Sequence, residues 1–344
     1  MKNIFKKKVI LVTGGCGSIG SEIVRQLLKY SPKQIRVFDN KETEQFYLQR
    51  DLKQHSDILT FLLGDVRDKE RLIMAMEGVD IVFHAAALKH VPLCEYNPFE
   101  AVKTNVFGTQ NVIEASLMQC VEKVINISTD KVTHTINTMG ATKLLSERLI
   151  TSAQYYKGKK KTLFSSVRFG NVFGSNGSIV KLFERQILAG QDLTITHPEM
   201  TRFVMSIPQA VSLVLKAAID MVGGEIFILK MPVFKLKDFV EVVVEELSFK
   251  HGVPPDKIKA KKIGLRRGER MYEYLMTEEE SANAVEDDLC LIVLPAKTSS
   301  WFGIKDFKKY KKMKKTLKKR YCSDDLTPLT KESLRKLILK EKLL

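Results

Sequence analysis

The chain has 344 residues, 44% hydrophobic and 28% charged, which excludes a disordered or fibrous polymer and predicts a globular protein with ample core. Its formal charge is +16, yet ten Lys and Arg fall between Lys305 and Arg320, and the rest of the chain holds 46 basic against 39 acidic residues. The basicity is therefore local: it reads as a solvated helix face, with contact to an anionic surface as the other reading, and no nucleic-acid partner is expected.

Met1 to Lys8 is basic, but the apolar stretch behind it is short and runs into glycines, so it reads as a first strand and not as a signal peptide. Residues 8–12 form that strand, and 21–29 carry apolar residues at helical spacing. Further strand candidates follow at 34–38, 59–63, 79–83 and 123–127, separated by helical segments. This alternation predicts an α/β protein with a Rossmann-type, doubly wound parallel sheet over residues 1–170. Beyond residue 170 Gly, Asn, Thr and Pro become frequent, with helices expected at 179–188, 208–220 and 237–247 and a strand at 225–229. A smaller C-terminal α/β substrate domain is expected over 171–300, with 203–224 returning to the first domain, and residues 301–344 read as a basic extension. No apolar run nears the ~20 residues of a bilayer span. The five cysteines are scattered without a CxxC pair, so neither a metal site nor a disulfide framework is expected, and a reducing cytoplasm is.

Thr13-Gly14-Gly15-Cys16-Gly17-Ser18-Ile19-Gly20 lies between a strand and a helix and satisfies GxGxxG. Glycines there let the chain turn tightly, let a pyrophosphate approach the main chain and let helix and strand pack closely, while the helix N-terminus offers N–H groups to phosphate. Asp39, 19 residues after Gly20, ends the second strand, followed by Asn40 and Lys41. An acidic group there accepts the adenosine ribose hydroxyls and favours NAD; Arg36 and Lys41 leave NADP open. Gly64-Asp65-Val66 either borders the adenine or caps the next helix.

The glycine turn, Asp65, His84-Ala85-Ala86-Ala87 and Asn105 together resemble the extended short-chain dehydrogenase/reductases. Ala87-Leu88-Lys89-His90-Val91-Pro92, Ser128-Thr129-Asp130-Lys131, Met139-Gly140-Ala141-Thr142-Lys143, Arg168-Phe169-Gly170-Asn171-Val172, Met200-Thr201-Arg202-Phe203 and Gly264-Leu265-Arg266-Arg267-Gly268-Glu269 narrow the resemblance. Together they are similar to the UDP-N-acetylglucosamine 4,6-dehydratases of polysaccharide and glycosylation pathways, from about residue 8 to 279. Some of those relatives carry membrane-spanning N-terminal regions, whereas this sequence is expected to be soluble.

The resemblance implies that NAD takes the hydride of sugar carbon 4, that water leaves across carbons 5 and 6, and that the hydride returns to carbon 6. It implies cofactor contacts at Thr13, Gly14, Gly17, Ser18, Ile19, Gly20, Asp39, Asn40, Lys41, Asp65, Val66, Ala85, Ala86, Ala87 and Lys143. Lys89 and His90 go to the sugar pocket; Asn171, Ser178, Val180 and Lys181 to the diphosphate and nucleotide; Arg202 and Arg266 to a diphosphate clamp; Glu269 to the second ribose. Asp130 is expected to protonate the departing 6-hydroxyl and Lys131 to take the carbon-5 proton, which requires a raised Asp130 pKa and a lowered Lys131 pKa. Partial burial under substrate pushes both that way; their mutual attraction pushes both back. The superfamily's Tyr-x-x-x-Lys reads Met139-x-x-x-Lys143, and a thioether cannot accept a proton from the 4-hydroxyl. Asp130, with Thr129 orienting the hydroxyl, is the expected substitute base. His84 reads as structural. A homo-oligomer paired through helices, one of them bearing Met139 and Lys143, is also implied. A nucleotide-sugar 4-epimerase or reductase, and a non-catalytic NAD-binding protein, are the rival readings.

Overall fold

Strands β1 (Val9–Thr13), β2 (Gln34–Asp39), β3 (Leu59–Leu63), β4 (Ile81–His84), β5 (Lys123–Thr129) and β6 (Leu163–Phe169) run parallel in a computed structural model that describes residues 3–174, 179–265, 268–295 and 307–340. They are followed by β7 (Asn171–Phe173), β8 (Leu193–Ile195), β9 (Thr201–Ser206), β10 (Ile226–Leu229), β11 (Val233–Lys235), β12 (Ala260–Lys262), β13 (Tyr274–Met276), β14 (Ala284–Glu286), β15 (Cys290–Val293), β16 (Lys314–Lys315) and β17 (Tyr321–Cys322). The main sheet has the order β16-β14-β15-β10-β6-β5-β4-β1-β2-β3. Its seven parallel strands keep the Rossmann order, which reverses between β1 and β4 and opens a crevice at their carboxyl ends. Beyond the return expected for 203–224, β10 and the antiparallel β14–β16 also lie in this sheet.

β6 shows why sequence pattern alone passes over a central strand. Leu-Phe-Ser-Ser-Val-Arg-Phe interrupts its apolar run with three polar residues, yet all three are buried. Each is satisfied: Ser165 donates to Glu225, Ser166 accepts from Asn126, and Arg168 pairs with Glu147 and Glu280.

Both faces of the sheet are covered. On one, Ile23, Val24 and Leu27 of helix Ser18–Leu27 meet Val211 and Val214 of helix Ile207–Asp220 over β1 and β2. On the other, Val112 and Ile113 of helix Gly108–Met118 and Ile150 and Ala153 of helix Thr138–Tyr156 pack on Leu11, Val82 and Val124. A third core joins Phe173, Phe183 and Phe239 with helices Ile179–Leu188 and Leu236–His251 beside the small sheet β11-β9-β7.

The described part of the basic extension is built into this framework: Phe307–Lys312 forms a short 3-10 helix, and the rest of the lysine-rich run is extended. β16 adds to β14, β17 pairs with β13, and helix Lys331–Lys340 buries Leu334 and Ile338 in the third core. The anchors are aromatic: the Tyr310 hydroxyl donates to buried Glu225 at 2.8 Å, and Tyr321 closes hydrogen bonds with both backbone polar groups of Met231. Lys312, Lys314, Lys315 and Lys319 stay exposed around them.

Arg168 ties the catalytic-side helix to the sheet. Its guanidinium is 1% exposed and reaches Glu147 at 2.7 Å and Glu280 at 2.9 Å, with Nη1 on the Leu275 carbonyl. Removing the cation strands two carboxylates, so Arg168→Leu is expected to cost roughly 3–5 kcal/mol, read as a lowered urea midpoint. A midpoint within experimental error of wild type would show that the pair is dispensable.

Candidate active site

The glycine turn fits a dinucleotide. Gly14 has φ +64°, and a Cβ there would stand 2.6 Å from the Ala86 nitrogen; a Cβ on Gly20 would stand 2.1 Å from the Gly14 carbonyl oxygen. Helix Ser18–Leu27 follows with Gly17 as N-cap, no side-chain cap and no acidic residue in its first turn, which leaves its positive end to an anion. Thr13 and Ala85 join at the mouth of the crevice, where the Ala85 N–H donates to the Thr13 carbonyl at 3.0 Å.

Around this turn the expected residues separate. Asp39 is buried at the end of β2, accepting the Cys16 N–H at 2.9 Å and the Lys41 N–H at 3.2 Å. Arg36 turns away, with Nη1 on the carbonyls of Ala75 and Glu77, both at 2.8 Å, so it is not a partner for a ribose phosphate. Asp65 is no helix cap: Asp68 accepts from Arg71 at the start of helix Lys69–Ala75, while Asp65 binds Arg67 and Asn40. Val66 is buried against Gly108. Ile19 is half-buried against the first core, and Ala87 is half-buried after β4. His84 is fully buried between Thr13 Oγ1 at 2.7 Å and Thr109 Oγ1 at 3.2 Å. Burial, aided by Lys143, lowers its pKa to about 3, so it is a neutral bracing residue.

Lys143, on helix Thr138–Tyr156, is 5% exposed and makes no ion pair among the described residues. Burial lowers its pKa to about 8 against the pull of Glu147. A buried cation in this position suits a ribose hydroxyl of a bound dinucleotide. Met139 begins the same helix and is sealed among Val91, Cys94 and Ala101.

At the carboxyl end of β5 and the start of β7 lies a cavity of about 250 Å³, lined among others by Asp130, Lys131, Asn171, Arg202, Glu269 and Glu273. It is smaller than the roughly 300–1,000 Å³ of a full ligand pocket, a size for a sugar and not for a whole nucleotide. Asp130 is buried; its Oδ1 accepts from Thr129 Oγ1 at 2.7 Å and Lys131 Nζ at 2.9 Å. Lys131 Nζ also lies 3.4 Å from Asn171 Oδ1 and 3.7 Å from Glu273. Asn137 caps helix Thr138–Tyr156 through the Gly140 N–H and holds the Gly268 carbonyl, which closes one wall.

A family model for polysaccharide biosynthesis proteins matches residues 10–294. The chain belongs to that family. It is 55% identical over 341 residues to an uncharacterized membrane protein of Methanocaldococcus jannaschii, covering 99% of this chain and 98% of the relative. It is 42% identical over 280 residues to the UDP-N-acetylglucosamine 4,6-dehydratase (inverting) of Campylobacter jejuni, covering 81% and 80%. A UDP-glucose 4-epimerase of Rickettsia bellii is 41% identical over 285 residues, covering 82% and 81%. Among solved structures, Pen from Bacillus thuringiensis superposes with a TM-score of 0.91 at 46% identity over 99% of each chain. The protein is thus an enzyme of the nucleotide-sugar dehydratase and epimerase group of the short-chain dehydrogenase/reductase superfamily. Among the described residues no helix is long and apolar enough to cross a membrane.

Several family positions lie elsewhere than expected. Val180 is 2% exposed in the third core and does not line this cavity, because its helix turns that face, Phe183 included, onto Phe173 and Phe239. Lys181 is exposed outside the cavity, and Lys89 and His90 are exposed before helix Val91–Tyr96, near Lys41. Arg202 is committed to protein oxygens: Nη1 donates to the Thr201 and Met271 carbonyls, Nη2 to the Arg270 carbonyl, and Nε faces Glu273 at 3.2 Å with Glu269 3.7 Å from Nη2. Its guanidinium therefore holds the 268–273 segment, and gripping a diphosphate would require exchange of those partners. Ser178 and Arg266 lie outside the described residues.

The charges at the cavity floor differ from expectation. Burial pushes the Asp130 carboxyl up, but Lys131 and hydrogen bonds from Glu273, Lys131 and Thr129 override it and hold it below the usual range. Burial pulls Lys131 down, yet Asp130 and Glu273 hold it above the usual range. Mutual attraction wins, so both residues stand as an ion pair. The raised group is Glu273, pushed up to about 7 by burial and by Asp130. Glu273 lies four residues beyond the motif that ends at Glu269, and its signal in the sequence is an acid set between Tyr272, Tyr274 and Leu275.

Proposed function

We propose that the protein is a UDP-N-acetylglucosamine 4,6-dehydratase that yields a UDP-4-keto-6-deoxy-N-acetylhexosamine. The observation that carries this reading is the Asp130–Lys131 pair on the cavity floor at the end of β5, with apolar Met139 sealed where the superfamily has its tyrosine base. The 42% identity to a 4,6-dehydratase supports it. Bound NAD would accept the carbon-4 hydride and return it at carbon 6, held by the glycine turn, Asp39 and Lys143.

The chain's own groups then move protons. Asp130, an anion held by Thr129 and Lys131, accepts the 4-hydroxyl proton. The ketone acidifies carbon 5, whose proton passes to Lys131. Asp130 delivers its proton to the departing 6-hydroxyl, which leaves as water, and Lys131 returns a proton to carbon 5. Neutralising Asp130 in the first step weakens its hold on Lys131, whose partly exposed ammonium then releases its proton to solvent and becomes the amine that takes the carbon-5 proton. Asn171 and Glu269 face the cavity as sugar and ribose contacts.

The Rickettsia epimerase at 41% identity favours a second reading, a UDP-sugar 4-epimerase. Incubation with UDP-N-acetylglucosamine and NAD separates them: a product lighter by one water is expected. An isomer of unchanged mass supports epimerisation, and absence of turnover overturns both.

A further inference from the structure

Glu273 is a largely buried carboxyl of the pocket to which the proposed chemistry gives no task. Its side chain is 11% exposed, with Arg202 Nε at 3.2 Å, Lys131 Nζ at 3.7 Å and Asn171 Nδ2 at 3.3 Å from both oxygens. Its own segment brings Glu269, Arg270 and Tyr274 to the same cavity, and its backbone N–H is held by Ser323 Oγ at 2.9 Å.

The decisive contact is with Asp130. Oδ1 of Asp130 takes both available donors, whereas Oδ2 is buried with no hydrogen-bond partner. Glu273 stands beside that carboxylate: one ammonium, Lys131 Nζ, lies 2.9 Å from Asp130 Oδ1 and 3.7 Å from Glu273 Oε1. Two ionised carboxylates in contact and away from water repel strongly, but one proton between them turns repulsion into a hydrogen bond and satisfies Oδ2. Lys131 and Thr129 keep Asp130 the stronger acid, so the proton sits on Glu273.

We propose that Glu273 is a positioning residue for the elimination: as a neutral acid it donates to Asp130 Oδ2, which keeps Asp130 an anion facing the sugar and leaves Lys131 with one anionic partner in place of two. This rests on the dehydratase reading. No electrons move in it. The Glu273 proton stays on the carboxyl pair throughout, while the 4-hydroxyl proton travels on the other Asp130 oxygen to the leaving water. When Glu273 ionises, Lys131 gains a second anion, holds its proton more tightly and fails as the base.

The sign follows from the raised carboxyl. Glu273 is neutral below about 7 and charged above it, so kcat should fall with rising pH, approaching tenfold per unit beyond that point. Glu273→Gln presents a permanent N–H donor to the same oxygen. Its kcat at pH 7 should drop by roughly three- to tenfold, the scale of a perturbed hydrogen bond. It should also be flat between about pH 7 and 9, where it overtakes wild type, with KM little changed. Glu273→Asp should restore the alkaline fall. A glutamine variant that keeps the wild-type fall overturns the proposal. So does one that is inactive at every pH while the aspartate variant is active, since the anion would then be the working form. Infrared titration of the unliganded protein gives an independent reading: a protonated-carboxyl band should fade near pH 7 in wild type and be missing in Glu273→Gln. Its absence from wild type refutes the shared proton even if UDP-N-acetylglucosamine proves not to be a substrate; turnover failure with the band present refutes the dehydratase reading alone.

Discussion

Asp130→Asn is expected to lower kcat by about 10³-fold with the fold intact. Asparagine fills the same space and still accepts from Thr129, so the loss falls on proton transfer and not on packing. Two steps fail together: nothing takes the 4-hydroxyl proton, because Met139 has no basic atom, and nothing supplies the departing 6-hydroxyl. Single-turnover mixing with NAD should therefore show no transient absorbance of reduced cofactor. Turnover near the wild-type rate would remove Asp130 from the mechanism and require another base for the first step.

Lys131→Met should be as damaging, by about 10²–10⁴-fold in kcat, but it should stop the reaction one step later. Asp130 loses the ammonium that offsets its burial, so its carboxyl should rise from its depressed position. Residual oxidation at carbon 4 should persist as a slow build-up of reduced cofactor, without elimination. A variant that still releases the dehydrated sugar at the native rate would disprove the role of Lys131 as the carbon-5 base. The stages at which the two variants stall thus separate the acid from the base, although the residues are adjacent.

Much of the fold is legible because its signals are local. The glycine turn needs Gly14 and Gly20 for steric reasons, and β1 and β4 are buried throughout and almost wholly apolar. β6 and the C-terminal segment are less legible because their stability is non-local. Arg168 is tolerable in a core strand only through Glu147 and Glu280, which lie 21 and 112 residues away. Tyr310 and Tyr321 fix a lysine-rich stretch that composition alone describes as an extension. The same contrast holds in the site. Asp130 and Lys131 are visible as a motif, but their charge states depend on Glu273, brought in from the opposite wall. Arg202 is likewise visible as a phosphate-binding type, while its engagement by the 269–273 segment emerges only from the packing.

The central claim, an elimination across carbons 5 and 6 driven from the Asp130–Lys131 pair, is tested most directly by proton NMR of the product formed from UDP-N-acetylglucosamine in heavy water. A 4-keto-6-deoxy sugar with deuterium at carbon 5 is predicted, since Lys131 exchanges its proton with solvent before returning one. The coupling pattern also reports whether carbon 5 is inverted. A 4-epimer that retains its 6-hydroxyl and carries no deuterium at carbon 5 would contradict the account.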